Sequence, residues 1–250
     1  MKIAIVSATS TMAQAAARNW AKAFNAEPQG ELEFVLVGRN QVALDIVAAD
    51  LLVRAPKAKA SVVALDMLNR DAIEAAVTQM GQLDVALVCQ GELTDQETAQ
   101  ADAAVLDNSV QVNVVSPTLF AEAIARKFEA QGFGKLAIIG SVAGDRGRRA
   151  NYAYGASKAF LATYAQGLAH RFAATNVSVL LIKPGPTASR MTLSLPNPPA
   201  KLADPEIVAG QIVKAINSGK RGVLYTPPIW AIIMLIVRLL PSIIFNRLNL

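Results

Sequence analysis

The sequence is poor in the residues that build disulfide frameworks and metal centres. It has one cysteine and one histidine in 250 residues. A single cysteine excludes an internal disulfide framework, and Cys89 at the end of an apolar run reads as a small buried hydrophobe. His170 is given no role, and no cluster of His, Cys, Asp or Glu has metal-ligand spacing. The net charge is +5, yet basic–aromatic interleaving and zinc-finger spacing are both missing, so nucleic acid is excluded as a partner. No charged-then-apolar leader precedes the first strand: Met1–Lys2–Ile3 enters it directly. The expectation is a cytoplasmic protein. There is no internal repeat and no low-complexity linker. Charged residues make up only 17% and hydrophobic ones 53%, enough for one α/β domain with a large core.

What is present is an alternation. Short apolar runs at 2–6, 33–37, 60–65, 83–88, 135–139 and 177–182 read as strands. Helical spacing lies between them, including 42–53, 70–80, 102–115 and 119–130, with Pro117 tolerated as a kink. Strands alternating with helices predict a doubly wound parallel sheet with helices on both faces.

The first strand leads into Ser7–Ala8–Thr9–Ser10–Thr11–Met12–Ala13 and an Ala-rich helix. A strand–turn–helix of this kind offers free N–H groups and a helix N-terminus to a phosphate. Glycines normally let the backbone approach a pyrophosphate there, and this turn has none. An ordinary strand–helix junction stays open beside the phosphate reading. The second strand ends at Gly38–Arg39. An arginine at that place accommodates a 2′-phosphate, whereas an acid would select NAD. Arg39 therefore favours NADP(H), with NAD(H) and a merely solvated arginine as the alternatives.

Ser141 follows the fifth strand, at the strand end where open parallel sheets bind ligands. Tyr154 and Lys158 come next, four apart and so on one helix face. A phenol has an ordinary pKa of about 10, and a neighbouring cation lowers it. The expected product is an acid/base able to give a proton to a carbonyl oxygen.

Asn113, Ser141, Tyr154–Gly155–Ala156–Ser157–Lys158 and Pro184–Gly185, in this order, resemble the short-chain dehydrogenase/reductase family over nearly the whole chain. The resemblance implies a single Rossmann-type domain of about seven strands, here residues 1–226, with a last strand at 222–225. It implies NAD(P)H-dependent interconversion of ketone and alcohol. Tyr154 would be the acid/base, Lys158 would lower its pKa and hold the nicotinamide ribose, Ser141 would orient the carbonyl, and Asn113 would keep a relay water. For the cofactor it implies Thr9, Ser10 and Met12 at the phosphate turn, Arg39, Asp66 and Met67 near the adenine, Gly91, and Pro184, Gly185 and Ser189 near the nicotinamide. Residues 130–134, 147–151, 190–191 and the C-terminal tail look like the reductases that work with a flavin oxidase to epimerise decaprenylphosphoryl ribose. That implies a keto-sugar on a lipid phosphate as substrate and a flavin oxidase as partner. The alternatives are a generic 3-oxoacyl or small-ketone reductase and a non-catalytic nucleotide-binding scaffold. Homo-oligomers are common in the family.

Two stretches remain. The tail at 227–250 carries an apolar run at 229–237, too short for the roughly 20 residues of a spanning helix. Its Trp230, large aliphatics, Arg238 and Arg247 suit a helix lying in a membrane interface. Burial against the domain or a second copy is the competing expectation. The loop between Ser141 and Tyr154 holds Arg146, Arg148 and Arg149. A solvated charge run is one reading. A substrate phosphate taken by Arg148 and Arg149 is the other, since arginine forks suit phosphate.

Overall fold

Among the residues described by the structure, a computed structural model covering residues 1–195 and 198–248, seven strands pair in parallel in the order β3-β2-β1-β4-β5-β6-β7. They are β1 Lys2–Val6, β2 Glu33–Gly38, β3 Lys59–Ala64, β4 Val85–Val88, β5 Phe133–Ile139, β6 Asn176–Pro184 and β7 Gly222–Thr226. The helices between the first four strands are α1 Thr11–Ala26, α2 Gln41–Arg54 and α3 Arg70–Gln79. Before β5 run α4 Gln96–Ala101, α5 Ala103–Val110 and α6 Ser116–Gln131, and α7 Tyr152–Arg171 precedes β6. Then come α8 Arg190–Leu193, α9 Pro205–Asn217 and, after β7, α10 Ile229–Leu239 and α11 Ser242–Phe245. The doubly wound parallel sheet with helices on both faces is the one expected.

The apolar runs are continuous because each central strand is covered twice. Side chains alternate across the pleat. Ile3 and Ile5 of β1 enter one layer with α1, α2 and α9. Ala4 and Val6 enter the other with α3, α6 and α7. In α1 the buried face is mostly alanine, with Ala13, Ala16 and Ala17 against the sheet side and Trp20 fully enclosed. Trp20 Nε1 donates to Asn217 Oδ1 of α9 at 3.0 Å, which satisfies the one polar atom of that indole.

Chain order reverses between β1 and β4. The carboxyl ends of the strands flank that switch point, which is where such sheets form a ligand crevice. All the residues singled out from the sequence except those of the arginine loop, of α7, of the α5–α6 junction and of the tail lie at or just beyond these strand ends.

Pro117 does not end the helical run. Between α5 and α6 the chain widens into one π-helical turn, Gln111–Val115, and the Ser116 N–H donates to the Gln111 carbonyl. A proline ring collides with the carbonyl four residues back in an ordinary α-helix. The wider turn immediately before Pro117 relieves that collision. π-turns of this kind are frequent at functional sites, and this one holds Asn113.

Among the described residues no helix is long and apolar enough to cross a membrane. Positions 249–250 of the tail lie outside the described residues.

Candidate active site

Ser141 follows Gly140 at the end of β5 and caps a single 3-10 turn, Val142–Asp145, with its Oγ accepting from the Ala143 N–H at 3.1 Å. This turn packs flat on α7. A Cβ on Gly155 would lie 2.9 Å from the Ala143 carbonyl oxygen, and one on Gly144 would lie 2.7 Å from the backbone of Lys158 and Ala159. Side chains at either place would push the turn off the helix. The glycines therefore set the distance between Ser141 and the Tyr154/Lys158 face. The first turn of α7 lacks a side-chain cap from Asn151. Its Ala153 N–H is taken instead by Gln96 Oε1 of α4 at 2.9 Å, from a helix the sequence pattern did not reveal.

Tyr154 as a residue keeps some solvent contact while its phenol group sits among protein atoms. Burial pushes the phenol pKa up to about 12, and a hydrogen bond with the Ser141 side chain opposes the rise. The shift is set by burial and by Ser141, and Lys158 is not among its causes. Lys158 is only 2% exposed, and its Nζ is turned toward backbone, donating to the carbonyls of Gln90 at 3.2 Å and Ile139 at 3.3 Å. It lies 5.7 Å from the Tyr154 ring centroid. Desolvation lowers its own pKa to about 8. At neutral pH the site thus holds a neutral phenol beside a lysine that is mostly protonated.

Asn113 is fully buried. Its Oδ1 accepts from the Glu92 N–H at 2.8 Å and its Nδ2 donates to Ser109 Oγ at 3.2 Å. It thereby ties the π-turn to the loop after β4. Gly91 in that loop is closed over by the same groups: a Cβ there would lie 2.8 Å from Lys158 Nζ. Cys89 is buried, its thiol pushed up to about 12 by desolvation, so it stays neutral.

On the phosphate side, Ser7 takes the left-handed conformation at φ 59°, doing what glycine does in such turns. Ser10 caps α1 by accepting from Ala13 N at 3.2 Å. The amides of Thr11 and Met12 have no partner among the described residues. Arg39 is exposed beyond β2, and Asp66 is exposed with its Oδ1 on the Leu68 N–H. The Met67 side chain is buried in the core, and its carbonyl accepts from Ser116 Oγ. On the far side of the crevice Ser189 caps the short α8. The structure thus brings Asn113, Ser141, Tyr154, Lys158 and Gly91 into one cluster. It sets Thr9–Met12 and Ser189 across from each other and leaves Arg39 and Asp66 at the outer rim.

Several contributors were not read from the sequence. Arg190 joins the two walls, its N–H donating to Thr11 Oγ1 at 3.3 Å and its Nη2 to the Thr9 carbonyl at 3.4 Å. Asp145 is buried and carries two partners, the Lys183 ammonium and Tyr225 Oη at 2.7 Å. Burial and that carboxylate push the Tyr225 phenol up to about 12. A lysine closing an otherwise apolar strand was the available signal, because a buried charge requires a partner. Trp230 of α10 lies on Gly185, where an added Cβ would fall 1.9 Å from the indole Nε1.

A family model for short chain dehydrogenases matches residues 2–199. The chain belongs to the short-chain dehydrogenase family. This short-chain dehydrogenase is 35% identical over 178 residues to an uncharacterized oxidoreductase of Mycobacterium tuberculosis, covering 70% of each chain. It is 30% identical over 222 residues to an uncharacterized oxidoreductase of Streptomyces coelicolor, covering 85% of this chain and 84% of the relative. Among solved structures its fold is similar to a short-chain dehydrogenase from Sphingobium yanoikuyae in complex with NADPH, with a TM-score of 0.79, 20% identity and 96% of each chain covered. It is likewise similar to levodione reductase, with a TM-score of 0.78, 20% identity, and 90% of this chain and 95% of that one covered. Like the family, this dehydrogenase is an oxidoreductase.

The start of α1 suits the phosphates of a dinucleotide. Two unpartnered amides at the start of α1 face the place a pyrophosphate takes in such sheets. The left-handed Ser7 keeps the turn tight without glycine.

Proposed function

We propose that this short-chain dehydrogenase reduces a ketone to a secondary alcohol with NADPH, the ketone being a keto-sugar carried by a lipid phosphate. The observation that carries the reaction is the buried phenol of Tyr154 between Ser141 and Lys158. When bound, NADPH supplies the hydride. The Ser141 and Tyr154 hydroxyls hold the carbonyl oxygen. Tyr154, neutral at working pH because burial raises its pKa, gives that oxygen its proton as negative charge gathers there. The Lys158 ammonium, fixed by the Gln90 and Ile139 carbonyls, stabilises the phenolate left behind. Thr11 and Met12 amides would hold the pyrophosphate. Arg39, exposed and free of acidic partners among the described residues, would take the 2′-phosphate.

Support for a phosphorylated substrate comes from Arg148. Its Nε is buried with no hydrogen-bond partner among the described residues, which leaves a donor for an oxyanion in the loop between Ser141 and α7. Arg149 lies beside it in the same loop. The oxidation that supplies such a ketone is the work expected of a flavin oxidase.

Steady-state kinetics test the proposal. Tyr154→Phe should abolish reduction and leave NADPH binding intact. Arg148→Gln should raise KM for a phosphorylated ketose but not for a neutral cyclic ketone. Equal effects on both substrates would remove the phosphate from the reading, and retained turnover in Tyr154→Phe would remove the mechanism.

A further inference from the structure

Helix α10 has two apolar faces, and only one of them is used by the fold. On the inner face Trp230 lies on Gly185, and Met234 is fully buried with its Sδ 3.6 Å from Arg148 Nη2. Arg146 reaches the end of the helix. Its Nη1 donates to the carbonyls of Val237 and Leu240, both at 2.6 Å, and its guanidinium lies 3.8 Å over the Phe245 ring. These contacts clamp α10 and α11 against the catalytic loop and fix which way the other face points.

That other face is Ile229, Ile232, Leu235, Ile236 and Leu239, spaced along one side of the helix and between 50% and 74% exposed. Beyond Pro241 it continues through Ile243, Ile244 and Leu248, all exposed. Single apolar residues on a surface need no explanation, but a contiguous aliphatic strip on two successive helices does. The tail that carries it has charged side chains of one sign only, Arg238 and Arg247. Arg238 and Arg247, on the tail itself, form no ion pair among the described residues.

We infer that this strip docks flat on an anionic lipid bilayer. The 11 residues of α10 rise only about 16 Å, half the hydrocarbon thickness of about 30 Å, so the helix can lie in the interface but not cross it. An aliphatic face with flanking arginines is the composition that binds there, through buried apolar area and attraction to anionic headgroups. A second copy of the chain is a poorer occupant. A two-fold contact presents the same patch from both sides and would set Arg238 and Arg247 of each tail near their counterparts with no acid in the tail to balance them. Because Trp230 and Arg146 join the same helix to the rim of the crevice, docking brings that rim to the membrane surface. The docking does not depend on which ketone is reduced.

The test is flotation of the full-length protein with extruded vesicles, either equimolar phosphatidylglycerol and phosphatidylcholine or phosphatidylcholine alone. Wild type should float with the anionic vesicles and stay behind with the neutral ones. Both Ile232→Glu/Leu239→Glu and Arg238→Glu/Arg247→Glu should lower the bound fraction roughly tenfold or more. All four positions are exposed, so thermal midpoints should match wild type. Failure of wild type to float, equal flotation with both vesicle types, or no loss in either variant overturns the inference. So does a wild-type dimer that Ile232→Glu/Leu239→Glu turns into a monomer in sedimentation velocity. Turnover is not read, so a failed substrate assignment leaves this result standing on its own.

Discussion

Replacing Lys158 with methionine separates the cost of burying its charge from the work that charge does. The ammonium is 2% exposed and desolvation lowers its pKa from 10.5 to about 8. The folded state therefore binds this proton more weakly than the unfolded chain. Below pH 8 the wild type carries the full penalty, and stability is regained as pH rises from about 8 toward 10.5. The full difference of about 2.5 pKa units between those values corresponds to about 3 kcal/mol. The variant also leaves the Gln90 and Ile139 carbonyls without a donor, at about 1 kcal/mol each, but that loss does not change with pH. The pH dependence of the difference thus isolates the charge. Between pH 7 and pH 9 the wild type should gain about 1 kcal/mol on Lys158→Met. Urea unfolding of both proteins at pH 7, 8 and 9 measures it. A flat difference, or one that moves the other way, would show that Lys158 is not a desolvated cation. Cys89, whose pKa burial raises to about 12, opposes the rise above pH 9 in both proteins and so cancels in the comparison.

Two further substitutions probe the crevice walls. Gly185→Ala would place a methyl 1.9 Å from the Trp230 indole; it should displace the tail, shift indole emission to the red and cost about 1–3 kcal/mol in urea unfolding, and unchanged emission would show that α10 does not lean on Gly185. Arg190→Ala removes the bridge to Thr9 and its cation from the phosphate turn; NADPH affinity by fluorescence titration should fall roughly tenfold, with kcat at saturating cofactor retained, and an unchanged Kd would place Arg190 outside the cofactor site.

The sheet was legible because strands covered on both faces must be apolar in their interiors, and β1, β2 and β4 are, as is β6 apart from Ser178. The Tyr154/Lys158 pair was legible because both residues lie within one turn of a helix. The phosphate turn was half legible. Its place followed from the strand–helix junction, but Ser7 adopts a left-handed backbone that a side chain makes about 1–2 kcal/mol less favourable, and composition gives no sign that surrounding packing will hold it there. The direction of Lys158 was not legible. Its four-residue spacing from Tyr154 predicts proximity, yet the acceptors that claim its protons come from the loop after β4 and from β5, 68 and 19 residues away in the chain. The same holds for the arginine loop, where Arg146 meets carbonyls 91 and 94 residues downstream. Local period carries no information about such pairs.

The 3-10 turn after β5 is where these distant contacts converge, and energetics indicate what they are for. Its cap, Ser141, meets the phenol; its last residue, Asp145, is held by Lys183 and Tyr225; the next, Arg146, clamps α10. A buried ion pair of this kind adds little net stability, since apolar residues of equal volume do as well, whereas removing one partner costs about 3–5 kcal/mol. An apolar plug could fill the same space, but it could slide. A carboxylate shared by one ammonium and one phenol accepts only one arrangement of the ends of β6 and β7 against the turn. The pair therefore acts on geometry. It holds the turn so that Ser141 faces Tyr154, at a site where an error of an ångström in the placement of a reacting group costs on the order of a hundredfold in rate.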